Sequence, residues 1–285
     1  MRIRLDDLVS SALERGAAVP AFTCYDFTTA LAVVAAAEES GRGVILLVAP
    51  KTAGTPSGLR LITALRALAD DARVPVSVQL DHASDLEVIR NSVAAGADAV
   101  LADGSSLPFE GNVALVRSAR AALDAQGGTD VVIEAELGGL AGDEDKAFGV
   151  PGEHPAGLTD PGQVQEFVSR TGARLLAVAV GNAHGRYTGE PRLHWDVLED
   201  IASRTELPLV LHGASGIPAA DLVKATSVRV GKVNFNTELR TGILAMLEAE
   251  TTAHRVDGEN LQGLLARWSS SASTFAKGTL DMLSR

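Results

Sequence analysis

The stretch PVSVQLDHASDLEVIRNSVAAGADAVLAD, residues 75–103, decides the fold. It opens with Pro75–Leu80, a valine-rich run that reads as a strand buried on both faces. Ser84 stands three residues before Glu87, the spacing of a capping box, and predicts a helix that runs to about Ala95. Leu86, Ile89, Val93 and Ala97 recur at three- to four-residue spacing and give that helix one apolar face. Gly96 closes it, and Ala99–Asp103 reads as a second strand. A strand, a helix and a strand in so short a span are the unit of a parallel sheet.

The same alternation extends in both directions. Further strand candidates are Val19–Thr23, Val44–Val48, Val131–Leu137, Leu175–Val180, Pro208–Leu211 and Arg229–Phe235. Thr159-Asp160-Pro161 opens another helix, with proline in its first turn, and Gly172 ends it. Eight strands in series, with helices between them, predict a closed (β/α)8 TIM barrel of the α/β class. An open doubly wound sheet would carry a glycine-rich phosphate fingerprint after its first strand, and none is present. The expected organisation is a single barrel domain over residues 1–285, with residues 238–285 a mostly helical C-terminal part. There Leu261, Leu264, Leu265 and Trp268 form an apolar stripe, expected to serve as core or subunit contact.

Composition agrees. The chain has 285 residues, 46% of them hydrophobic, enough for a substantial core. Its net charge is −11 and no Lys/Arg run stands out, which argues against nucleic acid or an anionic membrane as partner. One cysteine, Cys24, excludes a disulfide framework and a thiolate metal cluster. The first residues lack the apolar segment of a secretory signal, and no apolar stretch approaches the ~20 residues of a membrane span. A soluble, cytoplasmic protein is expected.

Polar residues gather at one end of the expected strands. Asp81 and His82 follow the third strand, and Asp103 ends the fourth. Glu134 and Glu136 lie late in the fifth, His184 follows the sixth, and His212 follows the seventh. Asn234 and Asn236 end the eighth. In such barrels the active site lies at the C-terminal ends of the strands. His82, His184 and His212 therefore form a candidate site for a catalytic divalent cation with one coordination position open, and zinc suits three imidazoles. His154, His194 and His254 fall in loops or helices and are expected to be solvated. Gly185, Gly213, Ser215 and Gly216, with the hydroxyl of Thr237, read as a phosphate-holding group whose backbone amides are open. The segment Gly138–Lys146 is a glycine-hinged acidic loop, suited to a mobile lid that delivers a carboxylate.

Five stretches, in order, resemble the class II metal-dependent ketose-bisphosphate aldolases, in particular the tagatose/fructose-bisphosphate branch. They are Gln79-Leu-Asp-His-Ala83, Ala102-Asp-Gly-Ser-Ser-Leu-Pro108, Ile133-Glu-Ala-Glu-Leu-Gly138, Leu176-Ala-Val-Ala-Val-Gly-Asn-Ala-His-Gly185 and Leu209-Val-Leu-His-Gly-Ala-Ser-Gly216. The resemblance implies a zinc-binding (β/α)8 barrel, a homodimer or homotetramer, that reversibly cleaves a phosphorylated ketose to dihydroxyacetone phosphate and an aldehyde through a zinc-stabilised enediolate. It implies His82, His184 and His212 as zinc ligands. It implies Asp103 and Glu136 at a second or alternative cation position, divalent or monovalent. Asp81 matches the carboxylate that handles the C4 hydroxyl proton, and Glu144 the loop glutamate that moves a proton at C3. Gly185, Gly213, Ser215, Asn234 and Thr237 match positions around the dihydroxyacetone-phosphate moiety.

The chain also departs from the family pattern. Ala21-Phe-Thr-Cys-Tyr-Asp26 stands where the family carries two asparagines after the first strand. Val48-Ala-Pro50 offers no hydroxyl after the second, although Lys51 brings charge, and the last strand ends Asn234-Phe-Asn-Thr237. These changes touch the ketose-phosphate side of the pocket and leave open a related substrate or a non-catalytic sugar-phosphate-binding role. Arg240, Arg255 and Arg267 are candidates for a distal phosphate. A Schiff-base aldolase would need a lysine such as Lys232, the only lysine within an expected strand. That position more simply reads as a strand residue facing the barrel exterior or a helix.

Overall fold

The computed structural model describes residues 1–142, 146, 148–151, 157–189 and 191–284. Helix α1 (Leu5–Leu13) precedes the first strand, β1 (Val19–Thr23). Then follow α2 (Phe27–Ser40), β2 (Val44–Val48), α3 (Pro50–Ala53), α4 (Pro56–Asp71), β3 (Val76–Ala83) and α5 (Leu86–Ala95). The middle of the chain gives β4 (Ala99–Ala102), α6 (Phe109–Ala125), β5 (Val132–Leu137), β6 (Gly149–Pro151), α7 (Pro161–Thr171) and β7 (Leu175–Val178). The last part gives β8 (Arg186–Thr188), α8 (Trp195–Ser203), β9 (Leu209–Leu211), α9 (Ala219–Thr226), β10 (Val230–Phe235), α10 (Thr237–Val256) and α11 (Leu261–Met282).

Eight strands close a parallel barrel in the order β1-β10-β9-β7-β5-β4-β3-β2. The expected TIM barrel is thus present, and all eight expected strands are in it. The two short strands β6 and β8 pair with each other outside the barrel, by Gly149 with Arg186 through Pro151 with Thr188. Sequence reading did not find this ribbon, because three residues carry no periodicity to detect.

Alternation along the strands makes two apolar layers. Val19, Ala21, Ile45, Leu47, Ala99, Val132, Leu175, Ala177 and Val210 fill the barrel interior. Leu5, Leu8 and Val9 of α1 join that cluster, so α1 plugs the N-terminal end of the barrel. The opposite strand faces, with Phe22, Leu46, Val78, Leu80 and Val233, pack beneath the helices. Helix α11 packs on α2 and α10. Its Phe275 sits 6.1 Å from both Phe22 and Phe235, whose rings are 6.0 Å apart, and so covers the seam where β1 meets β10. The C-terminal apolar stripe is divided. The Trp268 indole donates to Thr29 Oγ1 at 2.9 Å and packs on the core, whereas Leu261 and Leu265 are exposed.

Local caps correct one expectation. Helix α5 is capped by Asp85, whose carboxylate accepts from the Glu87 and Val88 amides, and not by Ser84. Strand β3 runs on to Ala83, so the turn into the helix comes one residue later than the capping-box spacing suggests. Asp160 caps α7, Pro161 occupies its first turn, and Gly172 ends it at φ +66°, all as expected. No helix among the described residues is long and apolar enough to cross a membrane.

Candidate metal centre and anion pocket

The centre begins with an irregularity in β3. Its pairing with β4 shifts register between Leu80 and Ala83, and His82 lies at φ +41°. In a regular strand Asp81 and His82 would face opposite sides of the sheet. The register shift and the left-handed His82 interrupt that alternation, as bulges beside functional sites do. A left-handed backbone at a non-glycine residue costs on the order of 1–2 kcal/mol, which the surrounding barrel has to hold.

His184 is placed by the loop that follows β7. Asn182, fully buried, accepts from the Val180 amide at 2.7 Å and donates to the carbonyls of Val178 and His212 at 3.2 and 3.0 Å. That one side chain ties the loop of His184 to the end of β9, where His212 stands. Tyr187 adds a second tie: its hydroxyl accepts from the Ala183 amide at 2.7 Å and donates to the Gly213 carbonyl at 3.0 Å. Gly213 lies at φ +57°, and a Cβ there would meet the Ala183 carbonyl oxygen at 2.1 Å, so only glycine fits.

The three imidazoles converge. Ring centroids are 4.7 Å apart for His82 and His212, 5.0 Å for His82 and His184, and 6.2 Å for His184 and His212. One nitrogen from each lies within 4.8 Å of the others, a donor set that fits a divalent cation. His82, Asp103 and Glu136 form a second such group, sharing His82. His82 Nδ1 is 2.8 Å from Asp103 Oδ2 and 3.6 Å from Glu136 Oε2. His212 Nδ1 is 3.1 Å from Glu136 Oε2, and its Nε2 is 2.8 Å from Glu134 Oε1. Asp81, next to His82 in the chain, is buried. Burial works to lower the pKa of His212, but hydrogen bonds to Glu134 and Glu136 outweigh it and raise the value to about 9. Burial works to raise the carboxyl of Asp103, and its bond to His82 holds it well below the usual carboxylate range.

Beside the histidines opens a cavity of about 380 Å³ lined by Gly185, Arg186, Tyr187, Ser215, Gly216 and Thr237, among others. Four of the expected phosphate residues, Gly185, Ser215, Gly216 and Thr237, thus line one cavity. Gly213 lies at the root of that loop, and Asn234 is buried on β10, its amide atoms without a hydrogen-bond partner among the described residues. The Gly216 amide is not open: it donates to Glu238 Oε1 at 3.0 Å. Burial raises the Glu238 carboxyl above its ordinary value, and the Gly216 bond only partly opposes this.

The departing residues near β1 have structural partners. The Asp26 carboxylate caps α2 by accepting from the Thr29 amide at 2.8 Å. Asn236 and Arg240 donate to the Tyr25 hydroxyl at 2.9 and 3.3 Å. Thr23 Oγ1 is buried with no hydrogen-bond partner among the described residues. Ala49 is buried, Lys51 is exposed on α3, and His194 and His254 are half-buried rather than solvated. His254 approaches Glu250 at 3.8 Å. Glu144 and His154 lie outside the described residues.

Lys232 is where the sequence reading is corrected. It does not face outward; it is fully buried in the barrel interior, with Nζ 2.7 Å from Glu134 Oε2. Gln79 Nε2 donates to the same oxygen at 2.9 Å. The signal was present as an i, i+2 pattern: Lys232 and Asn234 on one strand, Glu134 and Glu136 on another. Arg186, a charged residue on the lining of the cavity beside the histidines, was also missed, because it lies on the unrecognised strand β8.

Known proteins resemble this chain in sequence and fold. A family model described as fructose-bisphosphate aldolase class-II matches residues 3–283. The D-tagatose-1,6-bisphosphate aldolase subunit GatY of Klebsiella oxytoca is 42% identical over 234 residues, covering 82% of this chain and 81% of that protein. Among solved structures, the YdjI aldolase of Escherichia coli K12 superposes with a TM-score of 0.84 at 27% identity, covering 99% of this chain and 97% of that one. A putative fructose-1,6-bisphosphate aldolase from Coccidioides immitis gives 0.86 at 27% identity, covering 98% and 96%.

Proposed function

The chain belongs to the class-II fructose-bisphosphate aldolase family, and from that premise we propose that it reversibly cleaves a ketose 1,6-bisphosphate of the tagatose or fructose type to dihydroxyacetone phosphate and an aldehyde. The observation that carries the reading is the meeting of three imidazoles from three strand ends, with a buried carboxylate, Asp81, next to His82 in the chain. His82, His184 and His212 would hold zinc. Bound there, the cation supplies Lewis acidity to the ketose carbonyl and its neighbouring hydroxyl, worth several kcal/mol at the developing negative charge.

The protein's own residues do the rest. Asp81 takes the proton from the C4 hydroxyl as the C3–C4 bond breaks. The C4 oxygen becomes the aldehyde carbonyl, and the electron pair stays on C3. Glu144 of the acidic loop delivers a proton to C3. Each such transfer contributes typically ~10²–10⁴-fold. Gly185, Ser215 and Thr237, with Gly213 and Asn234 nearby, receive the phosphate of the dihydroxyacetone half, and Arg186 brings charge to that wall. Asp103 and Glu136 with His82 offer a second cation position. Assembly into a homodimer or homotetramer of cytoplasmic subunits is part of the same proposal, and the exposed Leu261 and Leu265 offer apolar surface for such a contact.

A neighbouring substrate is the second reading. Thr23 puts a hydroxyl where the family carries an amide, Ala49 offers no polar group, and Asn236, Tyr25 and Arg240 form a linked polar group. The deciding experiment is a zinc-replete cleavage screen of fructose, tagatose and related mono- and bisphosphates, coupled to detection of dihydroxyacetone phosphate. Turnover on at least one, lost on chelation and in His212→Ala, is expected. Tight binding without turnover on all of them would instead favour a sugar-phosphate-binding protein.

A further inference from the structure

One buried carboxylate inside the barrel has three donors. Glu134 Oε2 receives Lys232 Nζ at 2.7 Å and Gln79 Nε2 at 2.9 Å, and Glu134 Oε1 lies 2.8 Å from His212 Nε2. Gln79, Glu134, Lys232 and His212 are each 0% exposed. They come from β3, β5, β10 and the residue after β9, so the group exists only in the closed barrel. A fully buried ion pair is a poor source of net stability, because desolvation cancels most of its attraction. Its place one layer beneath the imidazoles suggests a different use.

An imidazole can turn about its Cβ–Cγ bond and offer either nitrogen. Here Nε2 is engaged by Glu134, and Nδ1 is the nitrogen turned toward Glu136, whose same oxygen lies 3.6 Å from His82 Nδ1. Glu134 can do this as a carboxylate only if its buried charge is matched; a ring that gives Nδ1 to a metal is neutral, which leaves the Lys232 ammonium in contact with Glu134 to match it. We propose that Lys232 is a positioning residue for the metal centre: it locks Glu134, which locks the His212 ring so that Nδ1 is the atom offered to the cation. Outer partners of metal-bound histidines commonly carry ~10–100-fold in metal affinity. The inference rests on the metal-site reading above.

The test compares zinc affinity, by chelator competition, in the wild-type chain, Lys232→Met, Glu134→Gln and the double variant. Thermal unfolding of each metal-free protein is measured alongside. Lys232→Met is expected to weaken zinc about 10–100-fold. The double variant, with both buried charges removed, is expected to lose less than the two single losses combined. A Lys232→Met protein that melts earlier but binds zinc as the wild type does would make the lysine merely structural and overturn the proposal. ¹⁵N spectra of the zinc-loaded wild-type ring need no variant: ligation through Nδ1 with a retained Nε2 proton is expected, and ligation through Nε2 overturns the proposal. A wild-type chain that takes up no divalent cation would instead overturn the metal site itself.

Discussion

At His82 the backbone is left-handed, and Asp81 before it is buried. The proposed metal ligand and the proposed proton acceptor are thus adjacent in sequence and separable by mutation. Asp81→Asn is expected to leave zinc stoichiometry unchanged and to lower kcat by ~10²–10⁴-fold, read by metal analysis and steady-state kinetics on the same preparation. Loss of zinc with activity would instead make Asp81 part of the cation site. Thr23 permits a second test. Its hydroxyl is buried without a partner among the described residues, so Thr23→Val removes an unsatisfied group at nearly constant shape. Stability is expected to hold or rise by about 1 kcal/mol. KM for the ketose phosphate is expected to rise if the hydroxyl meets substrate, and an unchanged KM would place Thr23 outside the pocket.

Among the elements, the loops after β7 and β9 behave as one unit. Asn182 and Tyr187 bridge them, and Gly213 allows the backbone of one to lie against the carbonyl of the other. A side chain at Gly213 would force them apart exactly where His184 and His212 must meet. Gly213→Ala is expected to cost about 2 kcal/mol from its positive φ and the contact with Ala183. A Tm lowered by about 4–8 °C and weaker zinc binding would accompany it. Unchanged metal affinity in that variant would show that the two loops are not coupled. The element scale is also where the sequence was least legible. Strands β1 and β2 have the boundaries read from the sequence, because each is a short apolar run between turn residues. Strand β3 runs three residues beyond its apolar run, through Asp81 and His82, because a bulge and pairing to β4 sustain it. Strands β6 and β8 exist only because distant loop segments meet.

Over the whole molecule, α1 seals the end of the barrel opposite the site. Its buried Asp6 accepts from Arg4 at 3.0 Å and from Arg174 at 3.0 Å, linking the plug to the residue that precedes β7. Burial works to raise the Asp6 pKa, but the two arginines outweigh it and the value is lowered. The folded state therefore gains from the ionised group above the unfolded value, about 3.9, and the gain is lost as pH falls through the lower folded value. Both arginines are partly exposed, so about 1 kcal/mol is at stake after screening. Metal-free Asp6→Asn is expected to melt about 2–4 °C below the wild type at neutral pH. The gap should narrow as pH drops below about 4; a gap independent of pH would mean that packing, not charge, holds the plug. The cation should act on the same scale. At a thousandfold excess over its Kd, zinc would stabilise the fold by about 4 kcal/mol, so chelation should lower the Tm, and no shift would argue against a folded-state site.

The alternation of apolar strands with capped helices was sufficient for the barrel, because period and caps are local properties of the chain. The polar residues at the strand ends were sufficient to nominate His82, His184 and His212, because the barrel's topology sends those ends to one face. Only the tertiary structure decided that Lys232 points inward to Glu134, that Asp26 is spent on a helix cap, and that Gly216 gives its amide to Glu238. Each of these depends on which partner lies across a gap of space rather than of sequence. Local pattern fixes the direction of a strand; closure of the sheet fixes what its side chains meet.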